Sequence, residues 1–398
     1  MISVTAAKQI VEANTGILPK TNIQLINAAG CVLAEDVLSP IDSPSFNQAA
    51  MDGYAFEWES TNLNTKIPVT GNIPAGTTEQ LFLTPGTAAR IFTGAPVPEG
   101  ADTIIMQEHI IKSEGGIIVT DKSTSKGNHV RLKASQISCG SIAAKAGTKL
   151  TPGSMGYLSS LGVTEVWVYT TPKAGIIVTG KELVFPGTAL EFGQVYECNT
   201  VTLTAALLEG RLEPAFIEHV DDDEALVTAA IENGLQECDV LLITGGISVG
   251  KYDFVQTALQ NCGVETLFYK VKQKPGKPLF FGKKGDTLVF GLPGNPAAVL
   301  TCFYEYVVPC IRKMIGMSPV FPKATNMILN HDAQNKQGLT SFLKGKMHEN
   351  SVEILDGQES YKLNTFTDAD CLVVFEEGND NYKKDEIVTV HKINECWI

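Results

Sequence analysis

Straight after the apolar run DVLLIT, residues 245 to 253 read GGISVGKYD. Gly245, Gly246 and Gly250, with Ser248 between them, let backbone N–H groups approach an anion, and a helix beginning just beyond adds the positive end of its dipole. A phosphate suits such a cradle. The string nearly satisfies the nucleotide-binding pattern G-x-x-x-x-G-K-[ST], but Tyr252 stands where a hydroxyl would meet Mg²⁺, and no acidic strand end supplies the usual second metal ligand. Asp253 follows instead. Two roles stay open for it, a D-x-x-Q capping box with Gln256 and a metal ligand, and one carboxylate has lone pairs for both.

Other residues of the same chemistry lie nearby in the pattern. YKVKQKPGKP places Lys270, Lys272, Lys274 and Lys277 within eight residues of a chain whose formal net charge is −13. Alternation along a strand puts Lys270, Lys272 and Lys274 on one side, so a solvated strand face is the plain alternative to an anion site. Asp221, Asp222 and Asp223 precede a helix, where a dipole role suffices to explain them. Glu182, just past a Thr-Gly-Lys, is harder to explain as a cap. Mg²⁺ favours one or two carboxylates plus phosphate oxygens, so lysines and carboxylates together point to ion-assisted handling of a phosphorylated small molecule. Asp52, in AMDGY, reads by default as a turn residue before Gly53. The six histidines lack H-x-x-x-H spacing, no G-x-S-x-G elbow is present, and the nine cysteines contain no C-x-x-C pair. Zinc chemistry, a serine nucleophile and a disulfide framework therefore have no support, and the thiols are expected to be free and buried.

The elements that must position these residues alternate between strand and helix from about 171 to 318. AGIIVTG, PAFIEHV and DVLLITGG read as strands, and NTVTLTAALLEG, with Asn199 as its cap, and DDEALVTAAIENGLQEC as helices. VETLFYKV and PLFFGKKGDTLVFGLP add further strands. GNPAAVLTCFYEYVVPCIRKMIG closes the unit as one long helix, capped by Asn295, opened by Pro296 and kinked at Pro309. Such alternation implies an α/β domain, a mostly parallel sheet with helices on both faces and ligands at the carboxyl ends of its strands. Five loops rich in Gly, Asp and Lys converge on that rim. Residues 46–135 read as a β-rich inserted domain and 319–398 as a small barrel or sandwich. Residues 1–45 and 136–170 read as a split helical and extended linker domain.

The acidic balance argues against a nucleic-acid partner, which needs a broad basic face. No apolar stretch approaches the roughly 18 residues of a membrane helix, and the first residues lack a signal peptide's basic start and apolar centre, so a cytoplasmic location is expected.

MDGYA at 51–55, FTGAPVPEGADTIIMQE at 92–108, TGKEL at 179–183, TGGISVGKYDF at 244–254, KPGKP at 274–278 and GLPGNP at 291–296 together resemble the molybdopterin molybdenumtransferase family, of the MoeA type related to the gephyrin E domain. The motifs occur in that family's order across nearly the whole chain. The resemblance implies an elongated four-domain subunit, a homodimer, and insertion of molybdenum from molybdate into adenylylated molybdopterin, with Mg²⁺ present and AMP released. It implies that Asp52, Glu182, Asp222, Asp253 and Lys274 serve catalysis, with Glu182, Asp222 and Asp253 as metal ligands. The same resemblance assigns substrate binding to Gly245, Gly246, Ser248, Gly250, Lys270, Lys277, Pro293, Gly294, Asn295, Pro296, Lys344 and Ser360. Lys344 and Leu339 stand where relatives often have arginine, and Ser135-Gln136 replaces a Glu-Asp pair of enterobacterial relatives.

On this reading Asp52 must reach the rim from another domain or from a partner subunit, and a molybdopterin adenylyltransferase and apo-molybdoenzymes are the expected exchange partners. Two rival readings accompany it. One is adenylyltransferase activity on the same α/β domain, whose proteins usually lack the flanking β domains; the other is a non-enzymatic scaffold of the gephyrin kind.

Overall fold

A strand that is apolar at every position must be covered on both faces, and AGIIVT and VLLIT are of this kind. In the computed structural model, which describes residues 1–121, 123–246, 254–321, 324–335, 338–379, 381–393 and 396–398, both are buried along their full length. They belong to a six-stranded sheet built from β1 (Ala174–Thr179), β2 (Pro214–Val220), β3 (Val240–Thr244), β4 (Glu265–Tyr269), β5 (Phe280–Lys284) and β6 (Thr287–Leu292), in the order β2-β1-β3-β6-β5-β4. β2, β1, β3 and β6 run parallel, and β5 is antiparallel to both of its neighbours. Side chains alternate across the sheet. Ile176 and Val178 join one core with Leu203 and Leu207 of the helix Asn199–Glu209, while Ile177 joins another with Val227 and Ile231 of the helix Glu224–Glu237. Val178 pairs with Thr244, and Thr244 with Leu292, so the loops after β1, β3 and β6 leave the sheet side by side.

The long helix expected after GLPGNP is not continuous. It runs as Pro296–Cys302, a π-helical turn Phe303–Val307, and Val308–Met314. Pro309 has no N–H to give the preceding turn, and the wider winding ahead of it accommodates that loss. The π turn buries Glu305 and Tyr306. Glu305, 3% exposed, accepts from Lys8 of the helix Val4–Asn14 and contacts His391 Nδ1 at 2.8 Å. Three distant parts of the chain thus share one buried carboxylate. That helix also sends Ala7 and Val11 into the central core, away from the rest of the first 45 residues.

Those remaining residues zip onto 136–170. Lys20–Gln24 pairs antiparallel with Glu165–Tyr169, and Val37–Leu38 with Ile142–Ala144, around a small core that includes Leu25, Leu33 and Leu158. Between the two pieces lies a six-stranded sheet with its own core of Tyr54, Phe56, Ile67, Ile91 and Ile104. Gly53 is obligatory there, because a Cβ would stand 1.9 Å from the Ile105 carbonyl oxygen. Near the other end of the chain, Thr340–Met347 pairs with both Ser351–Ile354 and Cys371–Phe375, and the circuit through Thr325–Leu329 and Ile387–Lys392 closes the sheet on itself. No described helix is long and apolar enough to cross a membrane.

Burial alone would raise the Glu305 carboxyl, but the charges of Lys8 and His391 overcome it and hold the group down at about 2, below its ordinary 4.5. A carboxylate with a lowered folded-state value stabilises above its unfolded value and loses that contribution as the pH falls through the folded one. Glu305→Gln should therefore cost roughly 3–5 kcal/mol at neutral pH, by leaving buried charge unpaired. It should also flatten the acid limb of the stability curve between pH 4.5 and 2, as read from denaturant melts across that range.

Candidate functional site

The carboxyl ends of β1, β3 and β6 open on a cavity of about 780 Å³. Gly245 and Gly246 form part of its floor, both at positive φ. A Cβ on Gly245 would lie 2.1 Å from the Thr179 carbonyl oxygen, so only glycine lets β3 turn against the end of β1. Ser248, Gly250 and Asp253 lie outside the described residues. Glu182 and Asp222 line the cavity together with Lys274 and Lys277, so carboxylates from two loops and amines from a third share one space.

The aspartate triplet divides its labour. Asp223 caps the helix Glu224–Glu237, accepting from Ala225 N at 3.0 Å and Leu226 N at 3.1 Å. Asp222 turns to the cavity, where its carboxylate accepts from Lys181 N at 3.4 Å. Asp221 faces an adjoining hollow of about 430 Å³, which shares Gly180, Leu183 and Glu197 with the main cavity.

The four lysines do not form one strand face. β4 ends at Tyr269, and Lys270 takes φ 69°, which breaks the alternation. Lys270 lays its ammonium 4.6 Å from the Tyr269 ring centre, and Lys272 pairs with Glu377 at 2.7 Å. Of the four, Lys274 and Lys277 line the cavity and Lys270 and Lys272 do not. Gln273–Lys274 instead pairs with Thr340–Ser341, joining the loop to the C-terminal sheet. Gln273 is fully buried. Its amide donates to the carbonyls of Pro275 at 3.1 Å and Gly276 at 3.2 Å and accepts from the Tyr306 hydroxyl. The π turn thereby sets the shape of the lysine loop.

GLPGNP forms the opposite wall. Asn295 stands at the N-cap position, but its side chain makes no capping bond; Nδ2 donates to Ser360 Oγ at 2.8 Å. Ala297 N donates to the Ser360 carbonyl at 3.1 Å, so a residue from beyond the central domain satisfies the start of this helix. Pro293, Gly294, Pro296, Leu339 and Ser360 all reach the cavity. Lys344 does not line it. It is 3% exposed, and its ammonium donates to the carbonyls of Gly357 at 2.7 Å, Lys362 at 3.0 Å and Glu359 at 3.4 Å, with burial lowering its pKa. That cage holds the turn carrying Ser360. Asp52 is likewise absent from this cavity. Its carboxylate accepts from Thr93 N at 2.8 Å and Thr93 Oγ1 at 2.7 Å, bonds that hold it below the usual aspartate range, and it is half-buried just ahead of the first strand of the inserted β sheet.

Sequence reasoning passes over several lining residues. Asn199, expected as a helix cap, is the first residue of the helix, and its side chain points into the protein; Nδ2 donates to Thr244 Oγ1 at 2.9 Å and to the Gly294 carbonyl at 3.0 Å. Glu197 does the capping, accepting from Thr200 N at 2.9 Å. The E-x-x-T spacing is the one signal that could have exposed the exchange. Gln358 and Tyr361 also line the cavity, as does Thr179, the first residue of TGKEL.

Residues 2–162 match the MoeA N-terminal region (domain I and II), 175–313 a probable molybdopterin binding domain, and 326–393 the MoeA C-terminal region (domain IV). A molybdopterin molybdenumtransferase of Haemophilus influenzae is 33% identical over 378 residues, covering 94% of this chain and 93% of the relative. One from Nostoc is 35% identical over 339 residues, covering 82% and 77%. A crystal structure of the molybdopterin biosynthesis MoeA protein from a Pyrococcus species superposes with a TM-score of 0.84 at 30% identity, covering 98% of this chain and 99% of that one.

The two neighbouring aspartates should separate by experiment. Asp223→Ala loses a helix cap and should cost about 1 kcal/mol in a denaturant melt with activity retained. Asp222→Asn should leave the melt unchanged and lower turnover by about tenfold or more; equal behaviour of the two variants would contradict this division.

Proposed function

Because this chain belongs to the molybdopterin molybdenumtransferase family, transferases that insert molybdenum in molybdenum cofactor biosynthesis, we propose that the cavity between the acidic rim and the lysine loop is where that transfer occurs. The observation that carries this reading is the meeting of Glu182, Asp222, Lys274, Lys277 and Ser360 around one space. Adenylylated molybdopterin would lie with its phosphates toward the two lysines and the Gly245–Gly246 turn. Ser360 Oγ accepts from Asn295, which leaves its own proton free to donate to an oxyanion such as molybdate. The soft sulfurs of the dithiolene, rather than any protein thiol, then bind molybdenum, one molybdate oxygen leaves as water with the two thiol protons, and a second water cleaves the pyrophosphate bond to release AMP.

The donor set fits magnesium. No group of three metal-binding side chains comes together among the described residues, and Mg²⁺ ordinarily takes one or two carboxylates and fills its shell with phosphate oxygens and water. Glu182 and Asp222 would hold it, with Asp253 as the third carboxylate named from the sequence. When bound, the ion would supply charge neutralisation at the pyrophosphate. Glu182 and Asp222 orient their oxygens toward the guest, while Lys274 and Lys277 offset its negative charge.

The reading includes a homodimer. Asp52 is preset by Thr93 yet lies away from this chain's cavity, which supports its delivery to the cavity of a second copy. A molybdopterin adenylyltransferase would supply the substrate and apo-molybdoenzymes would take the product. The gephyrin-like scaffold and the adenylyltransferase readings are not favoured, since the relatives named as transferases span the flanking domains as well as the central one.

Lys274→Ala should weaken pyrophosphate binding by about tenfold in calorimetry and abolish molybdenum insertion, with an unchanged melt. Mixing inactive Asp52→Asn with inactive Lys274→Ala subunits should restore about a quarter of wild-type activity, because half the dimers then carry one intact site of two. No recovery on mixing would place Asp52 outside the partner's site.

A further inference from the structure

Both ends of FTGAPVPEGADTIIMQE close on Asp52. From one end Thr93 donates to its carboxylate through N and Oγ1; from the other, Gln107 N donates to its carbonyl at 3.1 Å. Arg90, two residues ahead of that stretch, joins the ends. It stands opposite Tyr54 in an antiparallel ladder, one position from the pair Gly53 and Ile91. Its Nη1 donates to the Gly53 carbonyl at 3.1 Å and its Nη2 to Gln107 Oε1 at 2.6 Å. The Gln107 amide can point only one way, because Arg90 has only protons to offer and the Glu108 carboxylate accepts from Nε2 at 3.1 Å. One planar fork thus grips the residue after Asp52 and the side chain of the residue that holds the Asp52 carbonyl.

The fork itself is fixed. Its central carbon lies 5.1 Å from the Tyr54 ring centre and 4.8 Å from that of Phe92, within the range where a cation is held by an aromatic face. Both of its bonds go to neutral oxygens, so the guanidinium sets shape here rather than neutralising a paired carboxylate. A carboxylate is placed only as well as the backbone that carries it, and the Asp52–Gly53 backbone is what Arg90 braces. We infer that Arg90 is a positioning residue for the transfer reaction: it holds Asp52 in a single geometry on the half-site that one subunit presents to the cavity of the other. This rests on the partner-subunit reading of Asp52 proposed above and adds the group that keeps that carboxylate in place. A lysine could not substitute, since an ammonium is a point charge without donors set in one rigid plane.

The test uses the full chain and compares Arg90→Lys, which keeps a charge and an aliphatic stem over the two rings, with Arg90→Ala. Rates are read well below the onset of each melt, so that unfolded chain does not lower them. Arg90→Lys should melt as the wild type does and lower kcat for molybdenum insertion about tenfold, with KM for the adenylylated pterin unchanged. Mixed with inactive Lys274→Ala subunits, Arg90→Ala should rise to about a quarter of wild-type activity. Mixed with Asp52→Asn it should gain nothing over the mean of its two parents, because both residues sit on the same half-site. Wild-type kcat in Arg90→Lys, a raised KM in place of a lowered kcat, or recovery with Asp52→Asn would overturn the inference. Failure of Asp52→Asn and Lys274→Ala to recover on mixing would instead overturn the partner-subunit reading, and the kcat and KM comparison would then decide the role of Arg90 alone.

Discussion

A nine-residue stretch from Lys270 to Pro278 belongs to two folding units at once, and the site depends on that double membership. On one side it continues from β4, whose Tyr269 is laddered to Phe280 of the central sheet. On the other, Gln273–Lys274 is laddered to Thr340–Ser341 of the closed C-terminal sheet. A backbone fixed by hydrogen bonds at both ends has little freedom left, so Lys274 and Lys277 are held where the cavity needs positive charge. Gln273 completes the constraint from within by holding the Pro275 and Gly276 carbonyls and receiving the Tyr306 hydroxyl. Gly276 is required by the same crowding, since a Cβ would meet Cys302 Sγ at 2.4 Å.

The opposite wall is braced by comparable means. Thr244 and Asn199 tie the end of β3 to the backbone of Pro293 and Gly294, and Ser360 closes the start of the following helix. Each brace links loops from different strands. The end of β3 and the GLPGNP wall are thereby held by contacts that are themselves buried, which fixes the backbone around the cavity.

Much of this was legible in the sequence because it is local. Uniformly apolar runs marked the central strands, the βα alternation placed the chemistry at strand ends, and Glu182, Asp222, Lys274 and Lys277 do meet there. What escaped was set by tertiary contacts. Lys270 and Lys272 departed from the expected face because the strand stops at Tyr269, two residues earlier than VETLFYKV suggests, and the backbone turns to positive φ at Lys270. Lys344, named through the resemblance alone, is surrounded by three carbonyls that no local pattern foretells. Asn199, expected as the helix cap, braces the end of β3 instead, and Glu197 accepts from Thr200 N in its place. The long amphipathic pattern around Phe303 gave no warning of a π turn, whose cause lies in Pro309 and whose effect is the inward placement of Glu305 and Tyr306.

The ladder between Gln273–Lys274 and Thr340–Ser341 bears on modularity. Transplanted alone, the α/β unit would carry its carboxylates and glycine turns intact, yet its cationic loop would arrive as an unpaired edge, and Ser360 would be missing from the helix that it completes. The cavity is thus lined from both sides of a seam, and recombination between Met314 and Thr325 would separate halves that neither sheet can replace.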